Sequence, residues 1–122
     1  MCIRDSTYNL HANSGGRIGA QKQKGEDEAE YQAMLREDLS TLQQEMKNNT
    51  GYTPTTFVYP FGAVSDAAMP VIREMGFQAT LICESRVNTI TRDPECLYGL
   101  GRYRRPCHVP SQTFFEQKMK LA

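Results

Sequence analysis

The sequence predicts a mixed α/β domain in which parallel strands are joined by crossover helices. Three observations lead there. The apolar residues between Asp27 and Asn48 recur at helical spacing. Two compact runs, Thr-Thr-Phe-Val-Tyr (55–59) and Phe-Gln-Ala-Thr-Leu-Ile-Cys (77–83), are rich in β-branched and aromatic residues. Helical and extended stretches alternate along the chain, the pattern of parallel strands with helical crossovers. The 122 residues suffice for one domain and its core. There are too few strand–helix units to close a barrel of about eight, so the pattern fits a small open α/β domain or part of a barrel.

Each element has its own grounds. Thr7 and Tyr8 give the opening segment, which runs to His11, an extended character. The polar stretch from His11 to Asp27, with Gly15-Gly16 inside it, reads as a long loop. A helix follows from Asp27 to about Asn48, with Tyr31, Leu35, Leu39, Leu42 and Met46 on one face and Glu26, Asp27 and Glu28 at its positive end. Gly51 and Pro54 end it. The run 55–59 is a buried strand stopped by Pro60-Phe61-Gly62. A second helix occupies Ser65–Met75, with Ala68, Val71, Ile72 and Met75 as its apolar face; Pro70 belongs in its first turn and Gly76 closes it. The run 77–83 is the next strand. Residues 84–99 are loop with one extended piece at 87–91, Leu100–Arg105 is a short strand, and Ser111 caps a last helix that turns Phe114, Phe115 and Met119 inward.

Composition removes several functions. Fourteen acidic and fourteen basic residues balance, so no global charge favours nucleic acid or an anionic surface. No apolar run approaches the roughly 20 residues of a membrane span, and Met1–Leu10 lacks the apolar centre of a signal peptide. Cys2, Cys83, Cys96 and Cys107 show no close Cys-x-x-Cys spacing. They read as scattered, mostly buried thiols, with a disulfide left open.

Chemistry concentrates at two places. His11, one of two histidines, stands beside a loop of Asn, Ser and Gly; imidazole there is either a metal ligand or a loop hydrogen-bonding group. Tyr59-Pro60-Phe61-Gly62 makes a tight turn at the end of a buried strand, where α/β proteins place their sites. Arg102, Arg104 and Arg105 form a short cluster that reads as a solvated strand end, and His108 as a loop residue.

The ordered segments Ser-Thr-Tyr-Asn-Leu-His (6–11), Thr-Phe-Val-Tyr-Pro-Phe-Gly-Ala-Val-Ser-Asp (56–66), Met-Gly-Phe-Gln-Ala-Thr-Leu-Ile-Cys-Glu (75–84) and Leu-Tyr-Gly-Leu-Gly-Arg-Tyr-Arg-Arg-Pro (97–106) resemble the second half of polysaccharide deacetylases. These are the NodB-like enzymes of carbohydrate esterase family 4. The similarity is nearest to the subgroup acting on poly-β-1,6-N-acetylglucosamine of bacterial exopolysaccharide, and it runs from Ser6 through nearly the whole chain.

The resemblance implies the C-terminal portion of a distorted (β/α) barrel. It also implies a divalent metal, usually zinc, held by one Asp and two His. In the subgroup's His-Thr-Tyr-x-Leu-His pattern the second histidine is His11, and Ser6 stands where the first should be. Residues 1–6, Met-Cys-Ile-Arg-Asp-Ser, resemble translated adapter sequence. They are therefore expected to be a non-native leader before a partial deacetylase domain at 7–122. The Asp pair that supplies the metal-binding carboxylate and the base would lie upstream. The backbone N–H of Phe61 would meet the oxyanion; Tyr59 and Pro60 would line the sugar groove, with Phe61's ring beside them, and Leu100 the acetyl pocket. Many relatives carry Arg two residues before the proline, where this chain has Val58. The expected reaction is hydrolysis of acetamido groups on an N-acetylglucosamine polymer. Catalytic zinc normally takes three protein ligands, so the chain alone is expected to be inactive. The parent is expected to be extracellular or in the cell envelope. A non-catalytic carbohydrate-binding relative and an unrelated α/β interaction domain are the alternatives.

Overall fold

A computed structural model describes residues 7–121. Residues 1–6, with the expected leader, Ser6 and Cys2, lie outside the described residues.

The first elements are two-residue strands, β1 (Asn13–Ser14) and β2 (Arg17–Ile18), paired antiparallel as Asn13↔Ile18 and Ser14↔Arg17. Gly15 and Gly16 between them both have positive φ, 61° and 80°, as a tight two-residue hairpin requires. The stretch expected as an open loop thus contains a hairpin. The segment before it, residues 7–12, forms no strand, contrary to its extended reading.

Helix α1 (Glu28–Thr50) is close to the expectation. Its N-cap is Asp27, whose carboxylate accepts from the backbone N–H of Ala29 and Glu30, and its C-cap is Gly51 at φ 73°. Tyr31, Leu35, Leu39, Leu42 and Met46 are all buried, and so is Asp38.

Strand β3 (Thr56–Val58) and strand β4 (Ala79–Leu81) pair in parallel, with Phe57 opposite Thr80. The crossover between them carries a short 3₁₀ turn at Asp66–Ala68 and then helix α2 (Met69–Glu74), with Pro70 in its first turn. Proline is tolerated there because the first-turn N–H has no helical partner to lose. Phe57, Tyr59, Ala68, Val71, Ile72 and Phe77 join the apolar face of α1 and Ala20 in one core cluster.

Beyond β4 the chain departs from the alternating plan. Residues 87–91 form no strand, and Val87 and Ile90 are exposed. The strand expected at 100–105 shrinks to one parallel bridge, Leu81↔Leu100. Its backbone bonds are Leu100 N–H to Thr80 at 2.8 Å and Ile82 N–H to Leu100 at 2.9 Å. The C-terminal helix α3 (Ser111–Thr113) opens after Pro110 with no side-chain cap and passes into one π-type turn at Phe114–Lys118. Ser111 instead takes a hydrogen bond from Arg105 at 2.9 Å. Phe114 is buried, whereas Phe115 is exposed, because successive residues on a helix point to different faces, about 100° apart in an α-helix. Cys83 and Cys107 are exposed and Cys96 is half-buried, all three free thiols. Cys83 and Cys107 stand in loops and Cys96 in a short 3₁₀ helix, Pro94–Leu97, which corrects their expected burial. The sheet among the described residues is small and open.

Candidate functional site

The site is built around the end of β3. Tyr59 N–H donates to Leu81 at 3.0 Å, the last rung before the chain turns. Gly62 N–H then reaches back to Tyr59 at 3.0 Å and Ala63 N–H to Pro60 at 3.1 Å. Between them Phe61 has left-handed backbone angles, φ 58° and ψ 9°. A bulky side chain there is strained by roughly 1–2 kcal/mol, and such strain concentrates at functional turns. Phe61 is 49% exposed.

Two close approaches hold this turn, each made where only hydrogen fits. A Cβ on Gly19 would lie 2.7 Å from the Pro60 carbonyl oxygen, and a Cβ on Gly62 would lie 2.7 Å from Cys83 Cβ. The loop after the hairpin therefore seats on one side of the turn, and the residue beyond β4 on the other. That loop is fastened to α1. The Tyr31 hydroxyl donates to the Ala20 carbonyl at 2.6 Å, while Arg17 of β2 pairs at 2.5 Å with Glu26, which precedes the helix. The Arg17 guanidinium, bonded to Glu26, holds that carboxyl below the usual carboxylate range.

His11 lies against the same turn. Its ring centroid is 4.9 Å from that of Phe61, with the planes tilted by 47°. Nδ1 and Nε2 are both shielded from solvent and have no hydrogen-bond partner among the described residues. An imidazole normally satisfies both nitrogens, one as donor and one as acceptor, and leaving a buried polar group unpaired costs about 1–3 kcal/mol. A nitrogen lone pair directed at a cation would relieve this, so His11 fits a metal ligand. The full ligand set is not in view: among the described residues no group of three or more His, Cys, Asp or Glu side chains converges.

The segment bearing His11 is anchored by a carboxylate that the sequence reading passed over. Asp38, on α1 and 8% exposed, accepts the backbone N–H of Tyr8 and of Asn9, each at 2.7 Å. Leu10 packs on the core, and Gly19 N–H closes on the Ala12 carbonyl at 2.9 Å. A signal was present. Asp38 falls three after Leu35 and four before Leu42, inside the apolar stripe, where a charge needs a partner.

The other expected site residues are placed differently. Pro60 is buried in the turn. Tyr59 is 2% exposed and belongs to the core, so its ring presents no face to a groove; burial pushes its hydroxyl up to about 12. The alternation of β3 turns Phe57 and Tyr59 inward together, and their rings meet edge to face at 4.9 Å. Leu100 is half-buried and lines a cavity of about 290 Å³ with Arg86, Asn88, Cys96 and Tyr98 among its walls. That cavity includes neither His11 nor Phe61, whose rings are in contact with each other. His108 is an exposed loop residue at φ 64°. Arg102 donates to Cys83 Sγ at 3.1 Å, whereas Arg105 turns to Ser111 and Phe114. Arg102 and Arg105 nevertheless line one cavity of about 400 Å³ together with Arg86.

Comparison with known proteins identifies the family. The family model described as polysaccharide deacetylase matches residues 8–80, a span that holds both His11 and the turn. Among solved structures, the deacetylase domain of BpsB from Bordetella bronchiseptica is 28% identical, with a TM-score of 0.66 over 79% of this chain and 40% of that one. A de-N-acetylase from Aggregatibacter actinomycetemcomitans is 22% identical, with a TM-score of 0.66 over 89% and 44%. IcaB from Ammonifex degensii is 21% identical, with a TM-score of 0.62 over 89% and 42%. These last two show likeness of fold. The chain thus spans less than half the length of each of these structures. No curated protein matches it.

Proposed function

Because the chain belongs to the polysaccharide deacetylase family, we propose that it is part of a metal-dependent N-deacetylase acting on N-acetylglucosamine polymers. The observation that carries this reading is His11, with both ring nitrogens unpaired and shielded, seated against the left-handed Phe61 turn. The Thr7-Tyr8-Asn9-Leu10-His11 run supports the exopolysaccharide subgroup as nearest in substrate. On this reading the open two-stranded sheet belongs to a distorted (β/α) barrel, residues 7–122 are the partial domain, and the parent works outside the cell or in its envelope.

His11 would hold a divalent metal, zinc by preference, together with an Asp and a His from elsewhere in the parent. When bound, the metal supplies Lewis-acid activation of water and of the acetyl carbonyl. The chain's own residues do the rest of what is proposed here. The backbone N–H of Phe61 faces the developing oxyanion, and fixing that donor in a strained turn spares reorganisation during reaction. Phe61's exposed ring offers a flat apolar face to a sugar, a role that the buried Tyr59 ring cannot take. Pro60 holds the turn rigid, and Leu100 belongs to the acetyl-side wall.

The test is acetate release from an acetylated glucosamine oligomer with added zinc. The chain by itself should release none above background. Joined at Thr7 to the upstream half of a related deacetylase, it should become active, and His11→Ala in that chimera should abolish activity. A folded chimera that stays inactive would favour a carbohydrate-binding role. Turnover by the chain alone would place the chemistry elsewhere.

A further inference from the structure

We propose that Asp38 is a positioning residue for His11. The proposal rests on the reading of His11 as a metal ligand and deepens it. A carboxylate in the apolar face of α1 is costly unless its oxygens are satisfied. Asp38 meets that need with two consecutive backbone N–H groups, Tyr8 to Oδ2 and Asn9 to Oδ1, both at 2.7 Å. Charge-assisted bonds of this length are the strong class. A fork that takes one N–H on each oxygen fixes both the place and the tilt of the two peptide units.

His11 is two residues beyond the fork. Leu10 is set against the core, and Ala12 accepts from Gly19. The backbone on both sides of His11 is therefore held, upstream by α1 and downstream by the loop that packs on Pro60. Its ring makes no hydrogen bond of its own among the described residues. Its direction is set through the backbone and the Phe61 contact, and Asp38 is the charged group in that chain of contacts. An imidazole held this way keeps its lone pair free and aimed before a metal arrives.

The experiment uses the 122-residue chain itself. Asp38→Asn keeps the shape but turns an NH2 group against one of the two N–H donors. Asp38→Glu keeps both oxygens, displaced by one methylene. Met46→Ala lowers stability from the far end of α1. Imidazole proton shifts of His11 are read by NMR, with exposed His108 as internal reference, first without metal and then through a Zn²⁺ titration. In the unmodified chain the Phe61 ring should displace the His11 shifts. Asp38→Asn should return them towards those of His108 and weaken zinc binding at His11 on the order of tenfold. Asp38→Glu should recover part of both, and Met46→Ala should change neither. If Asp38→Asn lowers stability yet leaves the His11 shifts unmoved, Asp38 is merely structural and the proposal falls. If Asp38→Asn fails to fold, amide exchange in the unmodified chain decides. Protected Tyr8 and Asn9 amides together with a His11–Phe61 ring contact support positioning, and unprotected amides overturn it. A His11 displaced by Asp38→Asn retains the positioning whether or not it responds to Zn²⁺, and loss or survival of activity in the His11→Ala chimera decides the ligand reading.

Discussion

Substituting Gly19 by alanine tests the contact that seats the loop on the Phe61 turn. Gly19 has φ 55°, and an added Cβ would meet the Pro60 carbonyl oxygen at 2.7 Å and Pro60 Cβ at 2.9 Å. Ordinary carbon–carbon contact begins near 3.5 Å, so two backbone segments must part by about half an ångström. The left-handed φ costs about 1–2 kcal/mol for any residue with a Cβ, and overpacking adds about 1–3 kcal/mol. Gly25 supplies the control. It has φ 82° with nothing within 4 Å of an added Cβ, so Gly25→Ala carries the conformational cost alone. Both substitutions restrict the unfolded chain equally, and that effect cancels between them. Gly19→Ala should therefore be less stable than Gly25→Ala by about 1–3 kcal/mol. At roughly 4 °C per kcal/mol for a chain of this size, that is about 4–12 °C in Tm. Thermal unfolding followed by circular dichroism gives the difference, and NMR should show the His11 ring signals moved in Gly19→Ala alone. Equal melting temperatures with unmoved His11 signals would mean that the loop is not seated on the turn.

Two pH effects follow from the same framework. Tyr59 is held up to about 12 by burial, against an ordinary value near 10. Its neutral form is favoured in the folded state, so its contribution is whole below pH 10 and is lost as pH rises towards 12, at most about 2–3 kcal/mol. Tyr59→Phe should flatten alkaline unfolding in that window and change stability little at neutral pH, its hydroxyl having only a 3.9 Å contact with Met69 sulfur; an unchanged alkaline limb would contradict this. Glu26 is held below its ordinary carboxylate value, first by Arg17. The stability it contributes is present above that ordinary value and is lost as pH falls through the depressed one. Arg17→Met should therefore lower Tm at pH 7 while making its acid dependence shallower, and parallel acid limbs for the two proteins would refute the coupling.

Much of this was legible in the sequence because it rests on local rules. Helix α1 follows from the spacing of Tyr31 to Met46, its Asp27 cap and its Gly51 stop, all set by 3.6-residue periodicity and backbone sterics. Strands β3 and β4 and the proline-led α2 are equally local, and the segment resemblance pointed to the family and to His11 and Phe61. The tertiary structure decided what depends on neighbours distant in the chain. It drew Tyr59 into the core with Phe57 and buried Val58 on the opposite face as well, because how completely a strand is covered depends on neighbours distant in the chain. It reduced the strand expected at 100–105 to a single bridge at Leu100, since an extended run becomes a strand only where a partner edge receives it. It buried Phe114 and left its neighbour Phe115 outside, since packing against the rest of the chain selects one face of the helical turn. It also gave Asp38 its purpose. The sequence places a carboxylate in an apolar stripe, but the two backbone donors that satisfy it lie 30 and 29 residues away, and only the fold brings them within 2.7 Å.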